Sequence, residues 1–224
     1  MKVENIIKPE QFVRDDDRPD PLFYRKARLI NHLDSLALAT VEELYVKLIP
    51  KGARILDLMA SHDSHLRDEI QPSEVVGLGL NQEELDANPV LTQRVIHDLN
   101  AEPSLPFGDH EFEVVINTVS IDYVVHPVDI FKEVHRVLKL EGLFIIVFSN
   151  RMFPPKAVYI WKTLTENQRV DLVRAYFRLA GGFSIEGSME SKGKPRPKDD
   201  KYYSYGIPSD PIYAIWAKKK GVVQ

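Results

Sequence analysis

The chain has 224 residues, 44% of them hydrophobic and 28% charged, with a formal net charge of −4 and no cysteine. That length and composition suit a globular chain with a substantial buried core, and the absence of cysteine excludes disulfides, zinc–thiolate centres and thiol nucleophiles. The acidic balance argues against nucleic acid as a partner, because phosphate binding draws on a basic face.

The opening stretch, MKVENIIKPEQFVRDDDRPD, is acidic and lacks an apolar h-region, so neither a signal nor a transit peptide is expected. Pro9 to Pro21 is punctuated by proline and is expected to be poorly structured. Ile30 to Ile49 reads as one or two helices that could cap a sheet's ligand edge. Five apolar runs rich in Val and Ile follow: Arg54–Leu58, Glu74–Gly77, Arg94–His97, Phe112–Asn117 and Leu143–Phe148. Each reads as a buried strand. The last is the longest apolar run and is too short to span a bilayer, so no membrane association is expected and the predicted location is cytoplasmic.

A helix is predicted over Val128–Leu140, where Ile130, Val134, Val137 and Leu138 share one face. Pro127 stands at its start, where a missing N–H costs nothing. A second is predicted over Asn167–Leu179, with Val170, Leu172, Val173, Tyr176 and Phe177 inward and Gly181 and Gly182 ending it. Phe183–Met189 and Pro211–Lys218 read as a closing pair of strands. The charged segment between them, Ser191–Lys201 (SKGKPRPKDDK), is expected to be a solvated, mobile loop rather than a phosphate grip. Alternating strands and helices predict an α/β fold with a parallel sheet covered by helices. One domain is expected over 1–224, with an arm and helical cap in 1–50, a binding core in 51–150, and helices plus the closing strand pair in 151–224.

In such a sheet, ligands bind beyond the carboxyl ends of the strands. The residues there are Asp57 to His65, Gly79 to Glu84, Asp98 to Asn100, and Thr118 to Tyr123. His62 and His65 with Asp63 could hold a metal if that segment were helical, but two histidines without a thiolate are a weak signal and no metal is expected. The competing reading is a helix start capped by Ser61. His32 and Asp34 could line a lid, and a histidine there could serve as general base. Arg151 could hold a carboxylate bidentately or serve as a structural ion-pair partner, with Asn150 at the same rim. Phe153, Tyr159 and Trp161 form an aromatic group at helical spacing, for the core or for a pocket wall.

The series ARILDL, VVGLGLN, HDLNAEPSLPFGDHEFEVVI and FKEVHRVLKLEGLFIIV resembles the ordered motifs of class I methyltransferases across residues 50–150. LPFGDHEFEVV, Leu105 to Val115, is the most specific part, with Glu113 in place of the family's usual Asp. In RVLKLEGLFIIV, Gly142 matches the family's second glycine. The resemblance implies a Rossmann-like class I methyltransferase fold with a mostly parallel seven-stranded sheet flanked by helices and an N-terminal helical cap. It also implies S-adenosylmethionine as cofactor and methyl transfer to a small-molecule acceptor. The first loop, with Asn150–Pro154 and Lys156-Ala157…Trp161, is similar to a narrower group of methyltransferase-like proteins from photosynthetic bacteria and plants.

Two departures qualify this. The family's first loop, Asp-x-Gly-x-Gly-x-Gly, has Met59, Ser61 and Asp63 at its glycine positions here. The acid that usually ends strand two and binds both ribose hydroxyls is replaced by Gly79, for which Glu83 or Glu84 could reach back or Asn81 substitute. Asp98 matches the residue that contacts the adenine amino group, with Leu99 beside the ring. The resemblance implies cofactor contacts at Asp57, Met59, Ala60, Ser61, Asn81, Asp98 and Leu99. His32 and Tyr123 are the acceptor-side catalytic candidates, Tyr123 as wall or as catalyst. The alternative is a non-catalytic binding or scaffold protein that has lost the cofactor and serves a protein partner. A dinucleotide oxidoreductase is disfavoured, because no G-x-G-x-x-G follows the first strand.

Overall fold

The computed structural model describes residues 7–221. Among these residues seven strands form one sheet in the order β3-β2-β1-β4-β5-β7-β6. They are β1 Arg54–Leu58, β2 Glu74–Gly79, β3 Gln93–Ile96, β4 Phe112–Thr118, β5 Leu138–Phe148, β6 Phe183–Ser191 and β7 Ile212–Lys219. The first five are parallel, and β7 runs antiparallel between β5 and β6. Strand order reverses at β1, where Leu56 pairs with Val76 on one side and Val115 on the other.

Side chains alternate across a strand, so each central strand feeds two cores. Ile55, Val75, Ile116, Ile145 and Ala214 face α2 (Ser35–Leu48) through Ala37, Val41, Leu44 and Tyr45. Leu56, Val76, Val115, Phe144 and Ile215 face α4 (Pro127–Val137) and α6 (Glu166–Ala180). The aromatic rings of Phe131, Phe144, Tyr176 and Phe177 interlock there at 4.8–5.6 Å. The shorter helices are α1 (Asp20–Tyr24), α3 (Gln82–Ala87) and α5 (Tyr159–Thr163). No helix among the described residues is long and apolar enough to cross a membrane.

Several expectations need correction. The helix expected through Leu140 stops at Val137, because β5 begins at Leu138 and turns at Glu141 and Gly142. A Cβ on Gly142 would stand 2.7 Å from the Lys139 carbonyl, which explains the glycine. β3 is an exposed edge strand rather than a buried one. Residues 30–34 are irregular, and the helix begins only at Ser35, capped by Asp34.

The two stretches expected to be loose are pinned by buried charge. In the first, Phe12 enters the core and Asp20 is buried. Asp20 accepts from Arg14 at 2.7 Å and Asn100 at 2.8 Å and pairs with the fully buried Lys156 at 3.0 Å. In the second, Arg196 is buried between Asp210 at 2.7 Å, Asp200 at 3.0 Å and Asp34 at 3.5 Å. Proline and net charge had masked this, because a paired, desolvated charge looks like a solvated one in composition.

Candidate functional site

The two pinned arms close over the carboxyl edge of the sheet and leave a cavity of about 630 Å³ at the strand-order reversal. That size lies within the roughly 300–1,000 Å³ of small-molecule sites. Asp57, Met59, Ala60, Ser61, Asn81, Asp98 and Leu99 all line it, as do His32 and Tyr123.

The loop leaving β1 is set by backbone. Met59 adopts φ 63°, the left-handed conformation that glycine tolerates best, so the first expected glycine position keeps its shape without its residue. Ala60 then donates its N–H to the Leu78 carbonyl at 2.8 Å, laying the loop across the end of β2. A Cβ on Gly79 would stand 2.4 Å from the Ala60 carbonyl oxygen. An acid at this position is therefore sterically excluded. Val119, just past β4, is also left-handed at φ 50° and lines the cavity. Each such non-glycine residue stores about 1–3 kcal/mol of strain, placed here on the cavity floor.

Beyond Ala60 the loop is irregular, with only one 3-10 turn, Asp68–Ile70, before β2. His62 and His65 therefore share no helix face, and Ser61 caps no helix. No group of three His, Asp or Glu side chains gathers for a metal among the described residues. Ser64 donates to Asp57 at 2.6 Å, and Asn88 donates to Ser64 and to the Ser61 carbonyl. Burial pushes the Asp57 carboxyl up to about 7 despite the Ser64 bond. Burial also opposes ionisation of Asp63, but contacts with His65 outweigh it and hold its pKa below the carboxylate range.

At the end of β2, Glu84 reaches back while Glu83 is solvent-exposed. Glu84 accepts from Ser61 Oγ at 2.7 Å and from the Arg28 N–H at 2.8 Å. Asn81 spends its amide on capping α3 and on donating to the Tyr24 carbonyl at 2.8 Å, so it is the weaker substitute for the missing acid. At the end of β3, Asp98 takes the Asn100 and Ala101 N–H groups on Oδ1, and among the described residues no hydrogen bond reaches Oδ2. Leu99 is buried beside it.

Next to Asn100, which donates to the Tyr123 carbonyl at 2.9 Å, the Tyr123 ring stacks on Phe153 at 6.1 Å and its oxygen accepts the Phe153 N–H at 2.8 Å. Burial and nearby Asp122 raise its pKa well above the normal tyrosine value, so it stays protonated. His32 sets its ring edge-on against Phe153 at 5.1 Å, and partial desolvation with Arg28 nearby lowers its pKa. Asp34 lines the cavity with its oxygens committed to the Leu36, Ala37 and Asp210 N–H groups and the Ser209 hydroxyl, so it is structural. The aromatic group separates: Phe153 lines the cavity, Trp161 enters the core, and Tyr159 is exposed. Arg28, Tyr24, Lys201 and Tyr202 also line the cavity and were missed in the sequence. The run FYRKAR, aromatic then basic, was the available signal for the first two.

Residues 61–146 match the model of a family described as a methyltransferase domain. No curated protein matches the chain. Among solved structures, an S-adenosylmethionine-dependent methyltransferase, so described, from Listeria monocytogenes is similar at 18% identity and TM-score 0.57, over 84% of this chain and 100% of that one. One so described from Mesorhizobium loti gives 18% identity and TM-score 0.53, over 79% and 96%. SpnF, described as a cyclase, gives 14% identity and TM-score 0.55, over 87% and 89%. At such identities the likeness is one of fold, and the fold is the Rossmann-like methyltransferase fold. The cyclase is a reminder that this fold alone does not fix a reaction.

Proposed function

We propose that this chain is a methyltransferase that uses S-adenosylmethionine on a small-molecule acceptor. The observation that carries the reading is a pair of carboxylates on one cavity at the strand-order reversal: Glu84 over the end of β2, and Asp98 with a free oxygen at the end of β3. The cavity fits the cofactor in size, and its donor set fits too. Asp98 Oδ2 would take the adenine amino group beside Leu99. Glu84 would take ribose hydroxyls, exchanging its Ser61 bond for them. Met59 and Ala60 would flank the rest, on a loop held by Asp57 through Ser64. When bound, the cofactor supplies a sulfonium methyl group to a nucleophile.

The chain's own contribution is then alignment and exclusion of water, which suits a displacement that draws mainly on proximity. Tyr123 and Phe153 wall the acceptor side. His32, whose pKa burial and nearby Arg28 lower, favours the neutral form that can accept a proton from the acceptor. That capacity is lost as pH falls through its lowered pKa. The likeness of the first loop, Asn150–Pro154 and Lys156-Ala157…Trp161 to a group of methyltransferase-like proteins from photosynthetic bacteria and plants belongs to the same proposal, as does a cytoplasmic location.

A scaffold that has lost the cofactor is the second reading. It is favoured by the Ser61–Glu84–Arg28 bonds, which satisfy the ribose end without a ligand. Thermal unfolding with S-adenosylhomocysteine separates the two. A ligand at a hundred times its Kd stabilises by about 2.7 kcal/mol, or roughly 5–10 °C in a chain of this size. No shift at any concentration would leave the scaffold reading in place.

A further inference from the structure

On the acceptor half of the cavity, cations outnumber the acids that answer them: Arg28, Arg151 and Lys201 face one partly engaged carboxylate, Asp210. Arg28 lays its guanidinium 4.8 Å from the Phe23 ring centre and 5.2 Å from that of Phe153. Its Nη2 donates to the Phe23 carbonyl at 3.2 Å, while Nη1 is shielded from water and has no hydrogen-bond partner among the described residues. The Tyr24 hydroxyl is likewise buried and unpartnered. Buried polar atoms are rarely left unsatisfied, and each exception calls for a ligand, a water or a functional reason. On the same cavity, Arg151 reaches Asp210 only through Nε at 3.4 Å, and Asp210 is already held by Arg196 at 2.7 Å. Lys201 stands 5.0 Å from the Tyr202 ring and makes no ion pair among the described residues. The acids of this wall are answered from within: Asp20 by Arg14 and Lys156, Asp34 and Asp200 by Arg196.

We propose that the acceptor is a small organic carboxylate with a flat apolar body, its carboxylate taken by Arg28 and Arg151 and its body laid against Phe153. This rests on the methyltransferase reading above. A guanidinium fork matches a carboxylate in shape and charge, and aromatic rings favour a planar neighbour. Glu84 at the Arg28 backbone and Asp210 beside Arg151 reduce the net positive charge, which suits a monoanion better than a phosphate monoester.

The test is ligand-observed NMR on the full chain with S-adenosylhomocysteine present. The probes are benzoate, 4-hydroxybenzoate and phenylacetate, each against its uncharged methyl ester. At least one acid should bind about tenfold or more tightly than its ester. Arg151→Gln should abolish that preference, and Arg28→Lys, which keeps charge but loses the fork, should reduce it. Should either variant fail to fold, salt takes its place: on the wild-type chain the acid's Kd rises with ionic strength and the ester's does not. Equal binding of acid and ester, or no acid binding while S-adenosylhomocysteine binds, overturns the carboxylate and leaves the methyltransferase reading intact. Failure of S-adenosylhomocysteine to bind overturns that reading instead, and the acid-over-ester preference is then scored on the protein alone.

Discussion

The two halves of the cavity are built on opposite electrostatic plans. On the β1–β2 side, polar groups answer one another: Ser64 to Asp57, His65 to Asp63, Ser61 and Arg28 to Glu84, Asn81 to α3 and Tyr24. On the side of the two arms, Arg28 Nη1 and the Tyr24 hydroxyl are left over, and Arg151 is only loosely held. A satisfied network must exchange partners to admit a ligand, which costs affinity. An unsatisfied one gains a partner on binding. Cofactor affinity is therefore expected to be modest, and acceptor charge to matter more than acceptor shape.

The largest expected effect tests whether the arms are truly fixed. Arg196→Ala would leave Asp34 and Asp210 buried without their cation, at a cost of about 3–5 kcal/mol. Thermal unfolding should drop by roughly 10 °C, and an unchanged melting point would mean that the arm is as loose as its composition suggests.

Asp57 probes the wired half by pH. Its folded pKa, about 7, lies above the ordinary carboxylate value of 3.8, so stability falls as pH rises between these values and is level above. Asp57→Asn should remove that fall. Its stability should match the wild type near pH 4 and exceed it at pH 8, by about 1–3 kcal/mol after relaxation, below the ~4 kcal/mol linkage limit. A constant gap at all pH values would deny the buried titration.

Gly79→Ala forces a Cβ against backbone and should cost about 1–3 kcal/mol. Met59→Gly restores the family's glycine where φ is already 63°, and strain relief offsets lost packing to within about 1 kcal/mol. Chemical denaturation of the pair measures both, and equal losses would contradict the loop geometry. On the ligand side, Glu84→Gln should lower S-adenosylhomocysteine affinity about tenfold, or 1.4 kcal/mol, by equilibrium dialysis. No change would remove Glu84 from the ribose site.

The same contrast governs how much was legible in the sequence. Strands β1, β4 and β5 and the faces of α4 and α6 were plain because hydrophobic period reports burial directly. The positions of Asp57, Asp98 and Leu99 followed from strand ends. The arms were not legible, since Arg196 and Lys156 are buried cations and only the fold supplies Asp34, Asp210 and Asp20 as their partners. Gly79 read as a lost anchor because the Ala60 carbonyl that forbids a side chain there lies on another strand's loop. Arg28 was hidden between the proline-punctuated stretch and the expected helices, where neither periodicity nor a strand end marks a position.

The central claim is that one cavity holds cofactor on its wired wall and acceptor on its cationic wall. Calorimetric titration of S-adenosylhomocysteine into wild type, Asp98→Ala and Arg151→Gln tests it most directly. The account predicts saturable heat in the wild type, loss of that heat in Asp98→Ala, and near wild-type affinity in Arg151→Gln. Heat lost in both variants, or kept in both, would contradict the division of the cavity, and no heat in the wild type would contradict the cofactor itself.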